Sequence, residues 1–157
     1  MPSLPMQRSL QALRDRGMTA TPVERFVKSK RGGFRQDLLG IADILAFPTP
    51  NPLGDSPRED GFTLLVQTCP SKNLAAHLTK LLREPRTVLW LASCDRHRVE
   101  LHGWGFQKGK TCRRSMWHLR RVVLTYSGGQ LRHRGSEVET ETPEETSPAS
   151  PAHGVPR

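Results

Sequence analysis

The hydrophobic pattern of this chain comes in short blocks broken by glycine, proline and charge. The most apolar block is residues 37–47. Asp37, Leu39, Ile41, Asp43, Leu45 and Phe47 share one parity, and Leu38, Gly40, Ala42, Ile44 and Ala46 the other. Apolar side chains on both parities predict a strand covered on both faces, as in the centre of an α/β sheet. The block 62–69 repeats this pattern with Leu64, Leu65 and Val66. Upstream, Ser9 caps a helix running to about Arg16, with Leu10 and Leu13 on one face and Gly17 ending it. A strand over 21–28 and a basic Gly-Gly turn over 28–35 follow. Downstream, Leu74, Leu78, Leu81 and Leu82 have helical spacing, and Pro85 stops that helix. Strands are predicted at 87–92, 98–106 and 117–126. The order is α-β-β-β-α-β followed by extra strands. The passage from 62–69 through the helix to 87–92 implies parallel pairing with a right-handed crossover. The expected fold class is therefore α/β, three layers around a mixed central sheet.

At 157 residues the chain has the length of one domain. Residues 1–8 read as a flexible N-terminus, 9–126 as the domain, and 127–157 as a disordered acidic, Pro-rich tail. The tail has too few apolar side chains to offset the entropy of ordering. Residues 48–61, rich in Pro, Asn, Gly and Asp, read as a long loop. Charge sharpens this division. Residues 1–133 hold 22 Lys and Arg against 10 Asp and Glu, and residues 134–157 hold 2 against 5. A balance of +12 over the first part points to a polyanionic partner, most simply nucleic acid. Cys69, Cys94 and Cys112 form an odd set without a repeated spacing, which fits a reducing, cytoplasmic setting. No apolar run is long enough to span a membrane.

An aspartate among aliphatic neighbours is costly unless it has a partner. If the 37–47 and 62–69 strands lie side by side, Asp43 faces Gln67, the polar residue of its own apolar strand. That pairing has the geometry of a carboxylate metal site. Asp43 would ligate a hard cation such as Mg²⁺, Gln67 would add an amide oxygen, and the backbone between Gln67 and Cys69 would add a carbonyl. The cation would hold a phosphate and acidify an attacking water.

These residues resemble the PD-(D/E)XK nucleases of restriction-endonuclease-like fold, and among them a prokaryotic and phage group similar to Holliday-junction resolvases. The resemblance rests on Arg35-Gln36-Asp37-Leu38-Leu39-Gly40-Ile41-Ala42-Asp43-Ile44-Leu45-Ala46, then Val66-Gln67-Thr68-Cys69, the helix at 74–83, and Leu101-His102-Gly103-Trp104. It covers about residues 9–125. It implies a restriction-endonuclease-like core, DNA as partner, a homodimer, and phosphodiester hydrolysis dependent on Mg²⁺ or Mn²⁺. Asp43, Gln67 and Lys72 would be catalytic, with Asp43, Gln67 and Glu24 holding the metal. The chain departs from the family at one point. Where the superfamily has Glu-x-Lys, this chain has Gln67 and Cys69, so Lys72, or less favourably Lys80, would have to supply the cation.

Asp37 lies roughly 20 Å from Asp43 if the strand is regular, and reads as a strand-entry carboxylate paired with Arg31 or Arg35. Lys28, Lys30, Arg31 and Arg35 flank one turn, and Lys108, Lys110, Arg113 and Arg114 follow the 98–106 strand. Both groups are candidates for phosphate contacts. Trp104, Phe106 and Trp117 read as core, with stacking on bases as the alternative. Cys94, His97, His102 and Cys112 match no usual zinc spacing, and Cys69 lacks an adjacent base. Three readings stay open: a nuclease, a nuclease-like fold without chemistry that binds nucleic acid or serves assembly, and an RNA-binding protein on an unrelated sheet.

Overall fold

In a computed structural model, residues 3–29, 32–49, 61–107 and 116–140 are described. Helix α1 (Leu4–Asp15) is followed by strand β1 (Met18–Pro22), the hairpin β2 (Arg25–Ser29) and β3 (Gly32–Gln36), then β4 (Ile44–Pro48) and β5 (Thr63–Pro70). A short 3₁₀ turn (Ser71–Asn73) leads into α2 (Leu74–Arg83) and α3 (Pro85–Ser93). Strands β6 (His97–Gln107), β7 (Met116–Ser127) and β8 (Gln130–Thr140) complete the described residues. Among the described residues the main sheet has the order β1-β4-β5-β6-β7-β8, and β2-β3 form a separate two-stranded sheet. Only β5 and β6 pair in parallel; the other neighbours are antiparallel. The fold is thus α/β with a mixed central sheet.

The sheet is covered on both faces. Leu10 and Leu13 of α1 pack with Ile44, Ala46, Leu64 and Val66. Leu74 and Leu81 of α2 and Leu91 of α3 pack with Leu65, Cys69, Val99 and Leu101 on the opposite face. The alternation on β5 explains its unbroken apolar run, since each parity meets a different helix layer.

Several expected elements change. Residues 87–92 are helical, not a strand. Pro85, which stops α2, also opens α3, where its missing N–H costs nothing. Glu84 caps α3 by accepting from the Arg86 N–H at 3.4 Å. Burial then follows a helical period: Thr87 and Leu91 are buried, while Leu89 is 68% exposed. The parallel crossover consequently ends on β6. The expected 21–28 strand divides at Val23 and Glu24, whose N–H groups both donate to the Asp43 carbonyl oxygen. The expected Gly-Gly turn supplies Gly32 and Gly33 to β3; Lys30 and Arg31 lie outside the described residues, as does 50–60 of the expected long loop.

The N-terminus is helical from Leu4, not flexible to residue 8, because Met6 is buried in the α1 core. Ser9, expected as the helix cap, is buried inside α1. Strand β8 also stands where a disordered tail was expected. Gly128 and Gly129, at φ of 60° and 76°, form the two-residue loop that joins right-twisted hairpin strands. Backbone pairing with the long β7 then orders a polar sequence that has little apolar area to bury. The remaining expected tail, 141–157, lies outside the described residues.

The largest change is in 37–47, where only residues 44–47 belong to β4. Leu39 and Gly40 have φ of 55° and 72°, and the Ile41 N–H donates to the Leu38 carbonyl at 3.1 Å. This is a type I′ turn, closed by an isolated antiparallel bridge between Leu38 and Ala42. A leucine in the left-handed region costs about 1–2 kcal/mol. Lys80 on Asp37 at 3.3 Å and Arg86 Nη1 on the Leu39 carbonyl at 3.1 Å hold the turn against the helices. Because Asn tolerates that region, Leu39→Asn is expected to raise stability by about 1 kcal/mol. A urea midpoint no higher than wild type would contradict this account of the turn.

Candidate functional site

The turn delivers Asp43 to the entry of β4, one residue before the strand. Its own N–H donates to the Val66 carbonyl at 2.9 Å, which locks it beside β5. Its side chain is buried, 6% exposed. Asp43 Oδ2 accepts from Gln67 Nε2 at 2.9 Å, the Thr68 N–H at 2.7 Å and Thr68 Oγ1 at 2.8 Å. Burial pushes the Asp43 carboxyl up from 3.8 to about 6, against the pull of the two Thr68 hydrogen bonds; the charges of Asp37 and Glu24 add to the rise. Cys69 is buried nearby, and burial together with the Asp43 charge pushes its thiol up to about 11. A thiol in that state is a poor nucleophile at neutral pH.

The sequence correctly brings Asp43 and Gln67 together. Asp37 does not lie a strand length away as expected. The Leu38–Ala42 bridge makes Asp37 and Asp43 the next pair outward, and Asp37 bonds Lys80. Glu24 follows β1, the neighbour of β4, and its N–H donates to the Asp43 carbonyl at 3.3 Å. Lys72 is exposed in the 3₁₀ turn, and no hydrogen bond or ion pair joins it to Asp43. Lys28 is exposed on β2, Arg35 lies on β3, and Lys108, Lys110, Arg113 and Arg114 fall outside the described residues.

The side-chain donors do not fit the divalent cation that the resemblance implies. Three donors already converge on Asp43 Oδ2, and Gln67 turns its amide NH₂, not its oxygen, toward the carboxylate. Gln67 Oε1 is buried with no hydrogen-bond partner among the described residues. Among those residues no group of three or more His, Cys, Asp or Glu side chains is arranged to hold a metal. A hard cation wants several oxygen ligands at once. This carboxylate is organised by hydrogen-bond donors.

A second polar cluster lies beneath α1, on the other face of the sheet, and sequence reasoning missed it. The Trp104 indole N–H donates to Ser9 Oγ at 2.8 Å. Ser9 Oγ is 3.0 Å from His102 Nδ1, and His102 Nε2 is 3.0 Å from Glu100 Oε2. Arg16 closes the chain with Nη1 on Glu100 Oε2 at 3.0 Å and Nη2 on Oε1 at 3.3 Å. An indole N–H only donates, so the Ser9 hydroxyl hydrogen is available to His102 Nδ1. His102 Nε2–H then donates to Glu100, and every atom is satisfied. The order acid, imidazole, hydroxyl matches a hydrolase relay, but Ser9 is fully buried and capped by Trp104. No substrate reaches it, and the cluster fastens α1 to β6. The signal was Glu100, His102 and Trp104 at alternate positions of one strand. Of the residues weighed for zinc, His102 is engaged here, His97 stacks on Trp90 with centroids 3.8 Å apart, and Cys112 lies outside the described residues.

Gly103 and Gly105 lie between these side chains on β6. A Cβ on Gly103 would meet Leu74 Cδ1 at 2.7 Å, and one on Gly105 would meet Ser71 Oγ at 2.5 Å. The two glycines let the 3₁₀ turn and the start of α2 settle onto the strand.

No family model matches this chain, and neither a curated protein nor a solved structure matches it. Among the described residues no helix is long and apolar enough to cross a membrane.

Proposed function

We propose that this chain is a nucleic-acid-binding protein on a nuclease-like α/β scaffold whose cleavage centre has become a hydrogen-bonded structural cluster. The observation that carries this is the Asp43 carboxylate, buried at the entry of β4 and saturated on Oδ2 by Gln67 and Thr68. An acid in an apolar second strand that forms a hairpin with the third is what the resemblance to PD-(D/E)XK nucleases implies, and Asp43, one residue before β4, bonds to β5. The strand order β1-β4-β5-β6, with a helix before it and two helices between β5 and β6, supports the same reading. The Gln67 and Cys69 that replace an acid and a lysine support the loss of chemistry. The excess of basic residues in 1–133 supplies the attraction to a polyanion.

The test is a cleavage and binding assay on linear and four-way-branched DNA, with Mg²⁺ or Mn²⁺. Wild type is expected to bind, to lose affinity steeply as salt rises, and to leave the DNA intact. Asp43→Asn is expected to bind as wild type does. Metal-dependent cutting that disappears in Asp43→Asn would restore the nuclease reading. Affinity that ignores salt would remove nucleic acid as the partner.

A further inference from the structure

The end of the sheet carried by β6 and β7 holds an aromatic and cationic surface that the Asp43 site does not use. Trp104 lies on the α1 face, since its indole bonds Ser9 of α1. Two residues further, Phe106 shares that face, and the register sets it opposite Trp117. The Phe106 and Trp117 rings are 5.2 Å apart, tilted by 57°. Arg8 of α1 places its guanidinium 4.3 Å from the Trp117 centroid and 5.8 Å from that of Trp104. Burial grades outward across the group: Trp104 is core, Trp117 is half-buried, and Phe106 is 52% exposed. Trp104 accordingly bears out the expectation of a core residue, while Phe106 departs from it.

We infer that Phe106 and Trp117 form a stacking platform for the unpaired bases of a single-stranded nucleic acid. This deepens the proposed function and rests on it. A base has an apolar face and carries a phosphate beside it, so it suits the exposed Phe106 ring, whose neighbour Trp117 carries a guanidinium. A purely apolar partner would gain nothing from Arg8. A duplex, with its bases already stacked on one another, offers no free face to Phe106. The platform therefore selects unpaired segments, whereas the general basic charge attracts any nucleic acid.

The experiment uses the full chain and labelled probes of about 12 nucleotides, within the usual site size for sheet-based single-strand binders. The probes are oligo-dT, oligo-rU, an abasic strand of equal length, and a duplex. Phe106→Ala is expected to weaken binding of the base-bearing single strands by about 5- to 100-fold. The abasic strand and the duplex should bind as they do to wild type. Phe106→Tyr should restore the loss, and Trp117→Leu, checked for folding by its melting curve, should repeat it. Dependence on Phe106 with either sugar supports the platform, and the tighter of the two names the natural strand. An unchanged oligo-dT and oligo-rU affinity in Phe106→Ala, or an equal loss on the abasic strand, overturns the platform while leaving salt-dependent duplex binding, and so the proposed function, intact. Failure of wild type to bind any probe overturns both.

Discussion

Replacing Asp43 by alanine is expected to destabilise the protein by about 3–5 kcal/mol, because it strands three donors at once. The Thr68 N–H, the Thr68 hydroxyl and the Gln67 amide all point at Oδ2, and both residues are buried. Asp43→Asn is expected to behave differently, since it keeps an acceptor for Thr68 and removes the charge. An acid whose pKa rises from 3.8 to about 6 on folding holds its proton more tightly in the fold than in the unfolded chain. Its contribution is therefore full below pH 3.8 and is lost as pH rises through 6. The loss amounts to about 3 kcal/mol. Asp43→Asn should exceed wild type by about half of that loss at pH 5 and by all of it at pH 8, by urea unfolding at both values. An asparagine variant equally impaired at both pH values would show that the negative charge itself holds the site together.

Glu100→Ala carries the second large effect, also about 3–5 kcal/mol at pH 7. It leaves the His102 N–H buried without an acceptor and takes the bidentate partner from Arg16. Burial by itself would raise the Glu100 carboxyl. The hydrogen bonds from His102 and Arg16, with the charges beside them, more than offset this and hold it down at about 2 instead of 4.5. This slope has the opposite sign to that of Asp43. The Glu100 contribution is full above pH 4.5 and is lost as pH falls through 2, again about 3 kcal/mol. The two carboxylates together give a stability maximum in mild acid. Glu100→Gln should flatten the acid limb and leave the limb above pH 5 unchanged, as read from unfolding midpoints across the range. A wild-type acid limb surviving in Glu100→Gln would place the responsible group elsewhere.

The α/β class, the central apolar strand β5, helix α2 and the pairing of Asp43 with Gln67 were all legible from residue pattern. Each rests on a short-range signal: alternation served by two helix layers, leucines at helical spacing, and a lone polar residue in each of two adjacent apolar blocks. The expected 87–92 strand failed because Val88, Leu89, Trp90 and Leu91 are apolar in succession, and a short apolar run does not separate strand from helix. The Glu84 cap and Pro85 at the first turn were the local evidence for a helix. Strand β8 was hidden because its order comes from backbone bonds to β7, which composition does not record.

By itself, the sequence determined the α/β class with its mixed sheet, the positive charge and the adjacency of Asp43 to Gln67. Periodicity and charge are properties of residues taken singly or in short windows. Only the tertiary structure decided what Asp43 is surrounded by. The turn at Leu39 and Gly40 folds Asp37 back beside it, Thr68 donates twice to one oxygen, and Gln67 presents its amide nitrogen. The same holds under α1, where residues 84 to 95 positions apart in the chain close a relay between Ser9, His102, Glu100, Arg16 and Trp104. Whether a buried polar group is a ligand, a nucleophile or a fastening depends on which donors and acceptors converge on it in space.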